Sequence, residues 1–270
     1  MKPVIPKRII QTGKSRDLPM VARASAASIR SLNPDFEWLF FDDGAVEAFI
    51  DRHFPQHRNL FDAFPYRIQK YDFFRYLAIY HHGGFYFDLD IFLARGIGDL
   101  CSHGCVFPFE ELSIHSFLRD SHGMDWEIGN YAFGAAAGHP FLAAIIENCV
   151  RAQREPSWPA AMWDPFPRLF REEFYVLDTT GPGLVSRTLA EFPDAASHVK
   201  VLFPPDVCDK RHWHQFGDYG VHLQEGSWRS RKSLWWRKLG GLWEGRLRAD
   251  GLAAARRRGP TRTLAFGRSA

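Results

Sequence analysis

The chain has 270 residues, 46% of them hydrophobic and 15% aromatic, with a formal net charge of +3. That apolar share and low charge exclude a disordered chain, and no run reaches the roughly 18 uncharged apolar residues of a membrane-spanning helix. Four cysteines, Cys101, Cys105, Cys149 and Cys208, are too few for a disulfide framework at this length. With no apolar leader core after Met1, the expectation is a cytoplasmic protein.

In chain order, Lys7–Thr12 reads as a first strand stopped by Gly13, and Ala22–Leu32 as a helix ended by the Asn33-Pro34-Asp35 turn. Phe36–Phe41 is a second strand, closed by Asp42-Asp43-Gly44 and followed by a helix over Ala45–His53. Strand, helix, strand, helix at this spacing predicts an α/β sheet with parallel strands. Tyr66–His82 then carries apolar residues at helical spacing, Gly83-Gly84 gives it a left-handed stop, and Phe85-Tyr86-Phe87 is a short aromatic strand. Farther on, Cys105–Glu110 reads as a strand, Asn130–Gly138 as a strand or tight loop, and Pro140–Arg154 as a helix. Phe174–Asp178 is expected to be a strand running into a polar turn, Thr179–Gly183, that starts a helix through about Phe192. Val199–Pro204 is strand-like.

Charge is distributed unevenly. Residues 227–270 hold twelve Lys and Arg against two acidic residues, a net +10, so the remainder is −7. The division expected is therefore a main domain over 1–228 and a basic, Trp-rich helical extension over 229–270, its end disordered beyond Arg256-Arg257-Arg258. Leu234-Trp235-Trp236, Leu239, Leu242-Trp243 and Leu247 follow a rough helical period between the basic residues. Three readings stand, in this order: an anionic membrane surface, packing of the Trp stripe on the domain, and nucleic acid as the weakest match.

Asp88-Leu89-Asp90 follows the aromatic strand, where open α/β sheets place ligands. Two carboxylates two residues apart share one side of a strand, and a hard divalent cation, Mn²⁺ or Mg²⁺, takes one or two such groups and completes its shell with phosphate and water. Alone the motif is weak, since an acidic pair at a strand end is usually solvated. Its neighbours strengthen it. Asp72 and Arg75 share one face of a largely aromatic helix, where a charged pair needs partners. A sugar hydroxyl and a phosphate would supply them.

The segments IPKRIIQTG, NPDFEWLFFDD and YDFFRYLAIYHHGGFYFDLDIF resemble the DXD-containing sugar-transferase family, glycosyltransferase family 32. That family includes the Golgi α-1,6-mannosyltransferase type and bacterial polysaccharide and glycolipid transferases, and it is related to the glucosyltransferase domain of the clostridial cytotoxins. The resemblance is strong over residues 4 to 95, thinner afterwards, and returns in HLQEGSW (222–228). It implies a GT-A-type fold, a Rossmann-like mixed sheet flanked by helices, and a metal-dependent retaining transfer of a hexose from a UDP- or GDP-sugar to a glycan or glycolipid acceptor. By position it gives Asp72 to donor-sugar hydroxyls, Arg75 to sugar or diphosphate, Asp88 to ribose or sugar and to the metal site, and Asp90 to direct metal binding. His222 and Ser227 would complete the metal and diphosphate site under Trp228, Asn130 would lie near the transferred sugar, and Ile10, Gln11 and Thr12 near the base. Ile10 stands where the family usually has His, which leaves the choice of nucleotide open.

Other chemistries fit less well. Cys101 and Cys105 lack a second pair for zinc. His81 and His82 read as helix-terminal groups offsetting the dipole, His212 and His214 as solvated strand surface, and Ser121-His122 has no triad companion. A haloacid-dehalogenase-type phosphatase would carry its DxD on the first strand with Thr or Val at the fifth position, where this chain has Phe92. A non-catalytic nucleotide-sugar- or glycan-binding domain remains the alternative.

Overall fold

A computed structural model of the chain describes residues 4–163 and 171–223. Strand β1 (Arg8–Thr12) pairs in parallel with β2 (Glu37–Phe41) on one side and β3 (Gly84–Phe87) on the other. Parallel neighbours need crossovers, which are α1 (Met20–Leu32) between β1 and β2, then α2 (Asp43–His53), α3 (Arg58–Ala63) and α4 (Arg67–His82) before β3. Asp42 is the N-cap of α2, accepting from Ala45 N at 3.0 Å. Gly83 ends α4 at φ 64°; at Gly84, φ 108°, a Cβ would lie 2.6 Å from the carbonyl oxygen of Arg8, so only glycine lets β3 approach β1 there.

Beyond β3 come β4 (Ile91–Leu93), β5 (Cys105–Leu112), α5 (Ser116–His122), β6 (Trp126–Ile128), β7 (Ala132–Ala135), α6 (Pro140–Arg154) and α7 (Ser157–Trp163). Then follow α8 (Arg171–Thr179), α9 (Pro182–Glu191), α10 (Ala195–His198), β8 (Lys200–Leu202), β9 (Gln215–Phe216) and β10 (Gly220–His222). The main sheet runs β2-β1-β3-β7-β5-β6, with β8 also on β5, and a small antiparallel sheet runs β4-β10-β9. Pairing changes from parallel to antiparallel at β3–β7. This is the mixed sheet flanked by helices that the family resemblance implied.

Adjacent residues of β1 serve opposite faces. Ile9 packs with Ile29, Phe85, Phe87 and Phe216, whereas Ile10 packs with Phe74, Leu77, Phe107, Phe133 and Phe141. Cys101 and Cys105 fall into these two separate clusters. No helix among the described residues is long and apolar enough to cross a membrane.

Two local expectations are corrected. Phe174–Asp178 lies inside helix α8, where Thr179 Oγ1 donates to Tyr175 O at 2.5 Å and Thr180 N to Val176 O at 3.2 Å. The aromatic and β-branched composition suggested a strand, but packing of α8 against α7 and α9 overrides that propensity. His81 and His82 do not offset the α4 dipole as cations. They stack around Phe49 and His53, and burial, with His81 and Arg8 adjoining, lowers His82 to about 4, leaving it neutral. Arg8 takes over the C-terminal role, its Nη1 donating to His82 O at 2.7 Å.

Candidate active site

Helix α4 carries Asp72, Arg75 and Tyr76 on the side facing β3 and the segment that precedes β7. Arg75 Nη2 lies 3.1 Å from Asp72 Oδ1, and Nη1 lies 3.3 Å from Asp88 Oδ2 and donates to Asn130 O at 2.8 Å. Its guanidinium also sits over the Tyr86 ring, 4.6 Å from the centroid. Asp72 accepts from Thr180 Oγ1 at 3.0 Å and Asn130 Nδ2 at 3.2 Å. Tyr76 Oη accepts from Asn130 Nδ2 at 2.8 Å and donates to Thr180 O at 2.7 Å. Asp72 and Arg75 are 4% and 3% exposed, so this is a buried charged floor rather than an open face.

Burial raises Asp72 to about 7 despite the opposing pull of Arg75, Thr180 and Asn130. For Arg75 burial opposes the charge, but Asp88, Tyr86 and Asp72 together hold it above its ordinary value. The site therefore contains one permanent cation, Arg75, between Asp72, whose carboxyl ionises only near 7, and Asp88, and removing a partner of such a buried charge is strongly destabilising.

The DxD does not converge through strand alternation, the route its spacing suggested. β3 ends at Phe87, and Asp88 begins a turn in which Ile91 N donates to Asp88 O at 3.3 Å. Tyr86 Oη donates to Asp88 Oδ1 at 2.8 Å, which leaves Thr12 Oγ1 to donate to Tyr86 Oη at 3.0 Å. Ser25 Oγ, from α1, donates to Ile91 O at 2.6 Å and pins the far side of the turn. β10 pairs with β4 with His222 opposite Ile91, and Leu223 N donates to Asp90 O at 3.0 Å. That register brings His222 Nε2 to 3.3 Å from Asp90 Oδ2.

One ligand atom from each of Asp88, Asp90 and His222 lies within 4.8 Å of the others. Ligands about 2.1 Å from an octahedral ion stand about 3 to 4.2 Å apart, so small side-chain adjustments close the set. Two carboxylates with one imidazole suit Mn²⁺, and His222 Nδ1 is a buried nitrogen with no protein partner.

The remaining expected residues divide. Gln11 is buried on β1, its Oε1 accepting from Trp38 Nε1 at 3.0 Å while Nε2 has no partner, an open donor for a ligand. Thr12 touches the site through Tyr86. Ile10 is fully buried and its side chain packs in the core. Asn130 lies on the floor, its Nδ2 donating to Asp72 and Tyr76. Ser227, Trp228 and the 229–270 extension lie outside the described residues. His212 and His214 do not alternate on a strand surface: His214 turns inward at φ 56°, its Nδ1 2.8 Å from Glu110 Oε1. Burial opposes its charge, but Glu110 and Glu111 raise it to about 10. Tyr76, Tyr86 and Tyr131 carry no site signal of their own in the sequence, although Tyr76 lies one helical turn from Asp72 and is legible by that spacing.

Residues 19–107 match the family described as a glycosyltransferase sugar-binding region containing the DXD motif. Two curated relatives come from Schizosaccharomyces pombe (strain 972). Inositol phosphoceramide mannosyltransferase 3 is 30% identical over 228 residues, 83% of this chain and 55% of that protein. Inositol phosphoceramide mannosyltransferase 2 is 28% identical over 213 residues, 76% and 54% respectively. The chain thus spans about half the length of these relatives. Among solved structures, the PaToxG glycosyltransferase superposes with a TM-score of 0.49 at 15% identity, over 70% of this chain and 71% of that one.

Proposed function

Taking as premise that residues 19–107 belong to the glycosyltransferase family with the DXD sugar-binding region, we propose that the chain transfers a hexose, mannose by analogy with its relatives, from a UDP- or GDP-sugar to a lipid-linked acceptor with an inositol-phosphate head group. The observation that carries this reading is the convergence of Asp88, Asp90 and His222 beside the buried Asp72–Arg75–Asn130–Thr180 floor.

Asp88, Asp90 and His222 would hold Mn²⁺ or Mg²⁺, which when bound neutralises charge on the departing diphosphate. Arg75, fixed by Asp72, Asp88 and Asn130 O, contributes a preorganised positive charge behind the same carboxylates and needs no reorganisation during the reaction. Gln11 Nε2 and Thr12 at the end of β1 border the region that a nucleotide would enter. Asp72 is no free nucleophile, because Thr180 and Arg75 with Asn130 engage both of its oxygens. The family resemblance implies retention, which in this reading would come from front-side attack: the acceptor oxygen bonds to the anomeric carbon as the bond to the diphosphate breaks, and the hydroxyl proton passes to the departing diphosphate. With a lipid acceptor the reaction takes place at a membrane surface, on its cytoplasmic side in this reading, and the +10 charge of residues 227–270 favours anionic lipid.

The test is release of free UDP or GDP from a panel of UDP- and GDP-sugars, with and without Mn²⁺, in wild type and Asp90→Asn, followed by sugar incorporation into inositol-phosphoceramide vesicles. One mannose nucleotide is expected to turn over, with loss of turnover on chelation and in the variant. Turnover unchanged by both would refute the metal assignment. Absence of both release and nucleotide binding would refute the transferase reading.

A further inference from the structure

Tyr131 touches both ends of the candidate ion site without being a ligand. Its backbone carbonyl accepts from Asp88 N at 2.8 Å. Its ring stacks on the imidazole of His222, centroids 4.3 Å apart at 27°. Its hydroxyl donates to Gln215 O at 3.0 Å, fastening β9 and so the β9–β10 hairpin that carries His222. The residue is 3% exposed, and its ring lies so close to Gly129 that a Cβ there would come within 2.4 Å of a ring carbon.

A second brace holds the same hairpin. Glu110, on β5, packs against Gly129, where a Cβ would come within 2.2 Å of its Oε2. Its other oxygen meets His214 Nδ1 at 2.8 Å, while His214 N donates to Glu110 O at 2.9 Å. His214 Nε2 lies 3.4 Å from Glu111 Oε2. His214 O in turn accepts from His222 N at 3.3 Å. The left-handed backbone at His214 is held by these contacts from both sides. Asp88 and Asp90 come from one turn and His222 arrives from more than 130 residues away, so their mutual spacing depends on what docks the hairpin.

We propose that Tyr131, braced by the Glu110–His214 pair, is the positioning residue that sets His222 against Asp88 and Asp90 and thereby fixes the site's affinity for a divalent cation. The inference rests on the metal-site reading given above. Groups that orient ligands from behind typically change metal affinity 10- to 100-fold, and that is the scale assigned to Tyr131.

The experiment titrates the full chain with Mn²⁺ alone and follows the free-ion electron paramagnetic resonance signal, alongside urea melts of each variant. Tyr131→Leu, which loses both the stack and the hydroxyl, is expected to bind Mn²⁺ about 10- to 100-fold more weakly. Tyr131→Phe keeps the stack and loses only the Gln215 anchor, so a smaller loss is expected, and this variant decides the matter if the leucine variant does not fold. His214→Asn, which tolerates the left-handed backbone but cannot span both glutamates, is expected to fall between them. Folded Tyr131→Leu with wild-type Mn²⁺ affinity, while His222→Ala binds weakly, overturns the positioning role and leaves the ligand set standing. Wild-type affinity in His222→Ala, or no binding by the wild type, overturns the ligand set itself.

Discussion

Replacing Thr180 by Val removes one hydroxyl from the buried floor while keeping the side chain's branching. Thr180 is fully buried, and its Oγ1 donates to Asp72 Oδ2 at 3.0 Å. A hydrogen bond to a charged group contributes about 1.5 to 3 kcal/mol, and at 1.36 kcal/mol per pKa unit its loss raises Asp72 by about 1 to 2 units further. The sign follows from linkage. Unfolded Asp ionises near 3.8, while folded Asp72 holds its proton to about 7, so stability from this group is complete below pH 3.8 and declines as pH rises to about 7. In Thr180→Val that decline continues to about pH 8 to 9. Urea melts of wild type, Thr180→Val and Thr180→Ser at pH 6, 7.5 and 9 check this. The gap between wild type and the valine variant is expected to be at most about 1 kcal/mol at pH 6, widening to about 1.5 to 3 kcal/mol at pH 9, with the serine variant close to wild type. A gap of equal size at pH 6 and pH 9, or none at pH 9, would show that Asp72 is not ionised against this hydroxyl, and the charged-floor argument fails.

Two further outcomes follow from groups away from the ion site. His115 is clamped between Glu127, 2.8 Å from Nδ1, and Asp178, 3.2 Å from Nε2, with all three buried; His115→Leu removes the group the two buried carboxyls share and should cost about 3 to 5 kcal/mol in urea unfolding, whereas a loss under 1 kcal/mol would mean that the cluster is not ionised. His82 is held near 4 by burial with His81 and Arg8 adjoining, so its contribution is complete above pH 6.5 and is lost as pH falls through about 4. His82→Phe should therefore flatten the decline in stability between pH 6.5 and 4, and an unchanged slope would remove His82 as its source.

The parts of this protein legible in its residue order are those whose signals are local. Helical spacing over Tyr66–His82, the Gly83-Gly84 stop and the acidic pair after an aromatic strand each depend on residues within one turn of each other. The α4–β3 unit, and the charged residues Asp72 and Arg75 on it and Asp88 and Asp90 just after it, can therefore be read from short-range pattern. The strand at Phe174–Asp178 failed because its four aromatic and branched residues, Phe174 to Leu177, suit either element, and only the packing of α8 against α7 and α9 decided between them. β1 shows a related limit: it is buried on both faces, so its sequence carries no alternation that marks a ligand side. The assembly of the site belongs to the tertiary structure alone. Asn130 and Thr180 reach Asp72 from 58 and 108 residues away, and His222 reaches Asp90 through the β4–β10 register. Such contacts are fixed by how the sheet closes and which face each helix buries, and short-range pattern holds no record of either.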